Sequence, residues 1–295
     1  MTALEVRAVT KAYDSKIAVD AVSLQVERGE VFGLLGPNGA GKSSLIRMVM
    51  DILRPDSGEI AVLGAPSTAA AKDRVGYLPE ERGLYQRQRV GEVLRFLGEL
   101  KGLSRHVAAR RAEAWLDRVG LLETARKKMR ELSKGMQQKV QIAAVLLAEP
   151  ELLILDEPFE GLDPVNRLLV TDLMKELSAK GTAIVLSSHR MDQVEALCRR
   201  VFLIHRGKGV LSGTVAEIRE RHAENAVVVE TDRDLASHPA VERCKAAGSA
   251  VTVWLKPGGT PEAFLASILA DGARVRRFER ALPTLDEVFI RAVAS

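Results

Sequence analysis

Residues 3–35 alternate apolar and polar positions and close on the apolar run VFGLLG, a pattern that predicts strands leading into a buried one. Behind that run, residues 43–53 carry Leu45, Ile46, Val49, Ile52 and Leu53 at helical spacing until Pro55 and Gly58 break it. The chain reads strand, loop, helix at this point. Residues 90–100 and 107–119 predict amphipathic helices, the first placing Val90, Val93, Leu94, Leu97 and Leu100 on one face, within a helical insert spanning about 85–150. LLILDE and TAIVLSSH are short apolar runs ending in polar groups, VFLIHRGKGVLSG predicts a hairpin, and together they suit a buried, largely parallel sheet. After residue 220 the texture changes. AVVVET, AVTVWL and ARVRRFE predict short strands, interleaved with helical candidates at 234–247, 261–271 and 284–293, which makes a small α+β module. The polar stretch IRERHAENA marks the expected boundary, dividing the chain into 1–220 and 221–295.

Composition narrows the function classes. With 295 residues, 46% hydrophobic and 28% charged, the chain has the balance of a globular protein with a main domain and a smaller one. No run approaches the ~18 apolar residues of a spanning helix, and the start has no basic-then-apolar leader, so cytoplasmic work is expected. Cys198 and Cys244 have no neighbouring cysteine for a metal or redox pair and are expected to be structural thiols. The net charge of +4 is a mild bias, gathered largely between Lys101 and Lys139 and expected to be a solvated helical face. Residues 220–295 hold 10 basic against 11 acidic side chains, so no charge field there recommends nucleic acid.

The chemistry is concentrated in two places. Gly36, Pro37, Asn38, Gly39, Ala40, Gly41, Lys42 and Ser43 match G-x-x-x-x-G-K-[ST] between a predicted strand and a predicted helix, with Ser44 continuing into the helix. Glycines let the backbone N–H groups turn inward as an anion nest, and the helix start adds its positive end. Lys42 would meet the β- and γ-phosphates of ATP, and the Ser43 hydroxyl would ligate Mg²⁺. The second place is the end of LLILDE, where Asp156 and Glu157 stand at the C-terminal edge of a strand, the edge at which α/β sheets place ligands. Asp156 would hold the metal through water, and Glu157 would polarise the attacking water.

Taken in order, the phosphate loop at 36–43, LSKGMQQ at 132–138, LLILDEP at 152–158, GLD at 161–163 and SSH at 187–189 resemble one complete ABC ATPase domain. The resemblance covers residues 3–220 and implies an α/β P-loop NTPase fold of ABC type with a helical subdomain, followed by the small α+β C-terminal domain. It implies that Leu132, Ser133 and Gly135 form a signature that acts on the ATP of a second chain in a head-to-tail homodimer, with Asp163 across the same interface. His189 would be the switch histidine at the γ-phosphate, and Tyr13 the aromatic that stacks on adenine. Two departures stand out: GYLPE places Glu80 where the family usually has a glutamine at the end of the sheet, a carboxylate that could still ligate metal or water while adding negative charge beside the phosphates, and Lys134 and Met136 replace the commoner signature residues. GYLPEERGLY, LSKGMQQK and the PTLDEVF tail are similar to ATPase subunits of bacterial two-component, ABC-2-type exporters. The resemblance therefore implies a separately encoded transmembrane permease as partner and a place on the cytoplasmic face of the membrane. Ribosome-acting relatives fuse two such domains and DNA-repair clamps carry a long heptad coil; this chain has neither pattern. A non-hydrolysing sensor is disfavoured by Glu157 and His189. The tail is expected to be a regulatory or dimer-supporting module.

Overall fold

A computed structural model describes residues 1–14, 16–66, 71, 73–81, 83 and 85–294, and it divides into two compact units, Met1–Gly213 and Thr214–Ser295. Arg82 and Leu84 of the GYLPEERGLY stretch lie outside the described residues.

The first unit opens with β1 (Thr2–Tyr13), β2 (Lys16–Glu27), the fully buried β3 (Val31–Leu35) and α1 (Lys42–Val49). It continues through β4 (Ser57–Val62), β5 (Ala65–Pro66) and β6 (Val75–Leu78), then the helices α2 (Val90–Leu100), α3 (Arg105–Arg118) and α4 (Lys134–Leu146). β7 (Leu152–Asp156), α5 (Pro164–Ala179), β8 (Ala183–Ser188), α6 (Met191–Leu197), β9 (Arg200–His205) and β10 (Lys208–Thr214) complete it. β2, β1, β4 and β5 form an antiparallel sheet in that order. β10, β9, β3, β8, β7 and β6 form the second sheet, and its pairs from β9 to β6 are parallel. Apolar runs became its central strands because parallel strands covered on both faces have no solvent side to alternate with.

The core lies between the two sheets. Leu4, Val6 and Val26 meet Phe32, Leu34, Ile154 and Val185, and α1 contributes Leu45, Ile46 and Val49. A second core joins the helices: Val90, Val93 and Leu94 of α2 pack with Leu116 of α3 and Val140 and Leu147 on or beside α4. The basic stretch is partly tied into the fold, with Arg111 donating to Leu147 O at 2.7 Å and Arg118 lying over Trp115 and pairing with Glu176. Cys198 is buried, with its thiol pushed up by desolvation, whereas Cys244 is exposed.

The sequence pattern overshot α1 and misplaced some of its face. The helix stops at Val49, where Met50 closes it, and Ile52 is 64% exposed beyond the turn. Leu100 likewise ends α2 in solvent instead of on its buried face. The helix expected at 107–119 begins earlier, at Arg105, because the Ser104 hydroxyl accepts from Val107 N and caps it.

The second unit contains α7 (Val215–Arg221), β11 (Ala226–Thr231), β12 (Val241–Ala247), β13 (Ala250–Leu255), α8 (Pro261–Ala270), β14 (Val275–Arg280) and α9 (Leu285–Ala294). Its antiparallel sheet runs β12-β13-β11-β14, and α8 packs Phe264 and Ile268 against Val227, Val229 and Val253. The helical candidate at 234–247 is overturned: Pro239 interrupts it, and residues from Val241 onward pair with β13, Cys244 opposite Val253 and Lys245 opposite Thr252. Gly248, at φ 63°, allows the tight turn between those strands. The expected boundary also moves. Thr214 and Glu217 form a capping box at the start of α7, so IRER is helical and the division falls after Gly213, ahead of the boundary at 220.

Phe264 is the largest buried side chain of this second core, edge-on to His238 at 5.0 Å between ring centroids. Phe264→Ala is expected to destabilise the second unit by about 3–5 kcal/mol, as truncating a buried aromatic does. Urea denaturation followed by Trp254 fluorescence in a Trp115→Phe background measures it; an unshifted Trp254 transition would contradict this packing.

Candidate nucleotide-binding site

α1 begins without a side-chain cap: its N-cap is Gly41, in a left-handed conformation at φ 115°. Its first N–H groups are therefore left for a ligand, and a bare helix N-terminus favours an anion. The loop before it leaves no room for side chains at two points. A Cβ on Gly36 would lie 2.3 Å from Ile204 O, and one on Gly41 would lie 2.3 Å from Ala18 O. At Gly39, φ is 76° but nothing lies within 4 Å of such a Cβ.

Lys42 curls back over this loop, donating from Nζ to Gly36 O at 2.6 Å and to Pro37 O at 3.2 Å, and is only 6% exposed. Burial lowers its pKa, while Glu157, Asp156 and Glu80 act against that and favour the charged form. The next residue, Ser43, donates from its hydroxyl to Asp156 Oδ2 at 3.4 Å. Asp156 ends β7, the strand separated from β3 by β8 alone, which is why residues 43 and 156 meet. This hydroxyl and carboxylate are hard oxygen donors of the kind that hold Mg²⁺ alongside waters and phosphate oxygens.

Glu157 has left the strand. Its backbone is left-handed at φ 50°, with its N–H donating to Ser187 O at 3.1 Å, a conformation that costs a non-glycine residue about 1–2 kcal/mol. The turn buries the side chain and aims it at the end of β8. Oε1 accepts from His189 N at 2.8 Å and lies 2.7 Å from His189 Nδ1, and Oε2 accepts from Ser188 Oγ at 3.3 Å. A carboxylate beside Nδ1 favours the proton on that nitrogen and leaves Nε2 as the ring's second site. The Ser188 contact was not anticipated from sequence, although Ser188 stands in the same SSH run.

Glu80 is brought into the same field. Burial raises its pKa, and Asp156, Glu157 and Glu160 add to the rise, with Lys42 opposing. Among the described residues it makes no hydrogen bond to Ser43 or Asp156. Tyr13 sits at the closed end of the β1–β2 hairpin, opposite Lys16, and is exposed. The start of β2 from that same hairpin runs beside the loop, through the Ala18 carbonyl near Gly41.

Ser133 and Asp163 each stand at the start of a helix. Ser133 caps α4 by accepting from Met136 N at 3.3 Å, and Asp163 caps α5 by accepting from Asn166 N at 2.9 Å and Asn166 Nδ2 at 2.6 Å. The hydrogen bonds from Asn166 hold the Asp163 carboxyl below its ordinary pKa. Gly135, in the first turn of α4, faces Gly161 O, 3.3 Å from where a Cβ would be. Among the described residues no hydrogen bond or ion pair joins Ser133 or Asp163 to Lys42, Ser43, Asp156 or His189.

Comparison with known proteins places this geometry. Residues 19–160 match the family described as ABC transporter, and residues 213–293 match the C-terminal domain of DrrA1-3-like ATP-binding proteins. The chain is 38% identical over 290 residues to an uncharacterised ABC transporter ATP-binding protein, YhaQ, of Bacillus subtilis (strain 168), covering 97% of each chain. It is 34% identical over 298 residues to the Nod factor export ATP-binding protein I of Rhizobium sp. (strain N33), covering 98% of this chain and 96% of that one. A solved structure of the ATP binding subunit of an ABC transporter superposes with a TM-score of 0.69 at 34% identity, over 74% of this chain and 92% of the other.

The two glycines with the same kind of backbone but different surroundings separate crowding from strain. Gly41→Ala is expected to abolish binding of a fluorescent ATP analogue, because its Cβ meets the Ala18 carbonyl. Gly39→Ala carries only the left-handed penalty of about 1–2 kcal/mol, so its binding should weaken roughly tenfold and remain measurable. Titration of both variants by fluorescence tests this; equal losses would mean that space around Gly41 is not what matters.

Proposed function

We propose, from the premise that the chain belongs to the ABC transporter family of ATP-binding proteins, that its residues divide the work of one ATP between two copies of the chain. As a member of that family it binds and hydrolyses ATP to energise transport through a separate membrane-spanning partner. What carries the finer reading is the separation of two groups. Lys42, Ser43, Asp156, Glu157 and His189 cluster where the parallel strands β3, β7 and β8 end, whereas Ser133 and Asp163 stand at helix starts, and among the described residues no hydrogen bond or ion pair joins their side chains to Lys42, Ser43, Asp156 or His189.

In this reading the phosphate loop from Gly36 to Ser44 wraps the triphosphate, and Lys42 is the fixed counter-charge to its β- and γ-phosphates. Ser43 and Asp156 hold Mg²⁺, which when bound neutralises phosphate charge, and Glu80 stands at the edge of that site. Glu157 orients and polarises the attacking water, and His189 keeps the glutamate in place while facing the γ-phosphate. Ser133, Gly135 and the first N–H groups of α4 meet the γ-phosphate bound by a second chain, so two chains close head to tail over two ATP molecules. Asp163 sits in that interface, and Tyr13 stacks on adenine. Among the described residues no helix is long and apolar enough to cross a membrane. That fits a subunit held on the cytoplasmic face by its permease. The relative named for Nod factor export favours an outward direction of transport.

Tyr13→Ala is expected to weaken ATP binding about five- to tenfold and leave the rate at saturating ATP unchanged, since a stacking platform contributes about 1 kcal/mol. Steady-state phosphate release over a range of ATP concentrations reads both quantities, and an unchanged KM would return Tyr13 to an ordinary hairpin residue.

Glu157→Gln keeps size and removes the negative charge, so ATP is expected to bind without being hydrolysed, and to hold two chains together. Size-exclusion chromatography of the variant with and without ATP and Mg²⁺, beside a phosphate-release assay, tests the proposal. Turnover at the wild-type rate would remove Glu157 from the mechanism, and a monomer that binds ATP would sink the two-chain reading.

A further inference from the structure

We infer that Gln138 is a positioning residue that couples the two ATP sites of the closed pair, by tying the helix presented to one ATP to the loop that carries the glutamate acting on the other. The inference rests on the two-chain reading above.

Gln138 occupies the inward stripe of α4, in line with Gln141, Ile142 and Leu146, and is only 4% exposed. An amide in such a place needs a partner. From Nε2 it donates to Pro158 O at 3.1 Å, across 20 residues of sequence. Pro158 directly follows Glu157 and has no N–H of its own, so its carbonyl is the one backbone group through which that residue can be held. One turn earlier on α4, Gly135 lies against Gly161 O with space for a hydrogen and little more. The intervening loop is closed by its own bonds, Glu160 N to Glu157 O at 3.1 Å and Leu162 N to Phe159 O at 3.2 Å. Residues 157–162 are thus fastened to α4 at two points and internally braced.

The consequence follows from where the ends of this assembly lie. Its outer end is the start of α4, with Ser133 and Gly135, which belongs to the second chain's ATP. Its inner end is the left-handed Glu157, whose carboxylate is held on the far side by His189 and Ser188. A shift of α4 as its N-terminus takes up phosphate moves the backbone at Pro158 and resets Glu157 against His189. Closure at one site then prepares hydrolysis at the other. A residue that only filled the core would support both sites equally and leave their coupling alone.

The test is Gln138→Met, which keeps length and approximate volume but has no donor for the Pro158 carbonyl. In the full chain, kcat is expected to fall about tenfold, the scale of one lost hydrogen bond to a buried carbonyl, with KM for ATP within about twofold. The Hill coefficient for ATP should drop from about two toward one, since two coupled sites set its upper limit. ATP-dependent dimerisation of the Glu157→Gln, Gln138→Met double variant, by size-exclusion chromatography, should persist and shows that α4 is still folded and presented. An unchanged Hill coefficient, whatever happens to kcat, overturns the inference, as does a double variant that no longer dimerises. Failure of Glu157→Gln alone to dimerise overturns the two-chain reading itself, and with it this coupling, and is read separately from the Gln138 result.

Discussion

The site depends on burying an ammonium group where water cannot fully solvate it. Lys42 is nearly inaccessible, and desolvation works against its charge. What compensates is oxygen at close range: two loop carbonyls as direct acceptors and three carboxylates nearby that favour the charged form. For the carbonyls of Gly36 and Pro37 to reach Nζ, the loop must curl tightly, and that curl presses its glycines against Ile204 O and Ala18 O. The end of β9 and the start of β2 are therefore walls of the site, although neither contributes a reacting group.

The carboxylates reach Lys42 because of strand order. β3 leads into the loop, β8 lies beside it, and β7 lies beside β8, all parallel. Leu35, Asp156 and Ser188 are distant in sequence, yet they end neighbouring strands at the same edge. A parallel sheet gathers its C-terminal ends in this way, and the start of α1, which follows β3, adds its positive dipole end to the same edge. Glu157 then departs from the strand direction. Its left-handed backbone turns the carboxylate onto the end of β8, where one side chain takes two donors from His189 and a third from Ser188.

The parts of this arrangement that were legible in sequence are those in which backbone chemistry fixes the spacing. A tight turn into a helix needs glycines at set positions, and strands buried on both faces must be apolar throughout, so the strand, turn and helix start at 31–43 and the strand at 152–156 are legible directly. Helix ends were less legible. Ile52 and Leu53 continue the periodicity of α1 although the helix has already closed at Met50. Residues 241–247 carry no strand signal in sequence because β12 is an edge strand with all but its first residue exposed, so no apolar alternation announces it. Gln138 was hidden for the opposite reason. It is a polar residue on the inward face of α4, and only the distant Pro158 carbonyl explains its burial.

Glu80 shows how the site manages negative charge. Asp156, Glu157 and Glu80 gather three carboxyl groups at one partly buried edge, where like charges repel. Each carboxyl group has a different remedy. Asp156 faces the Ser43 hydroxyl, and Glu157 is bound by His189 and Ser188. Glu80 has no such partner among the described residues, and its pKa is raised by burial and by the other carboxylates, so a proton can remove its charge at smaller cost than usual. Glutamine at this position would be neutral from the start. The glutamate instead leaves the charge at this edge dependent on its surroundings, since burial and the neighbouring carboxylates favour the protonated form and Lys42 the ionised one.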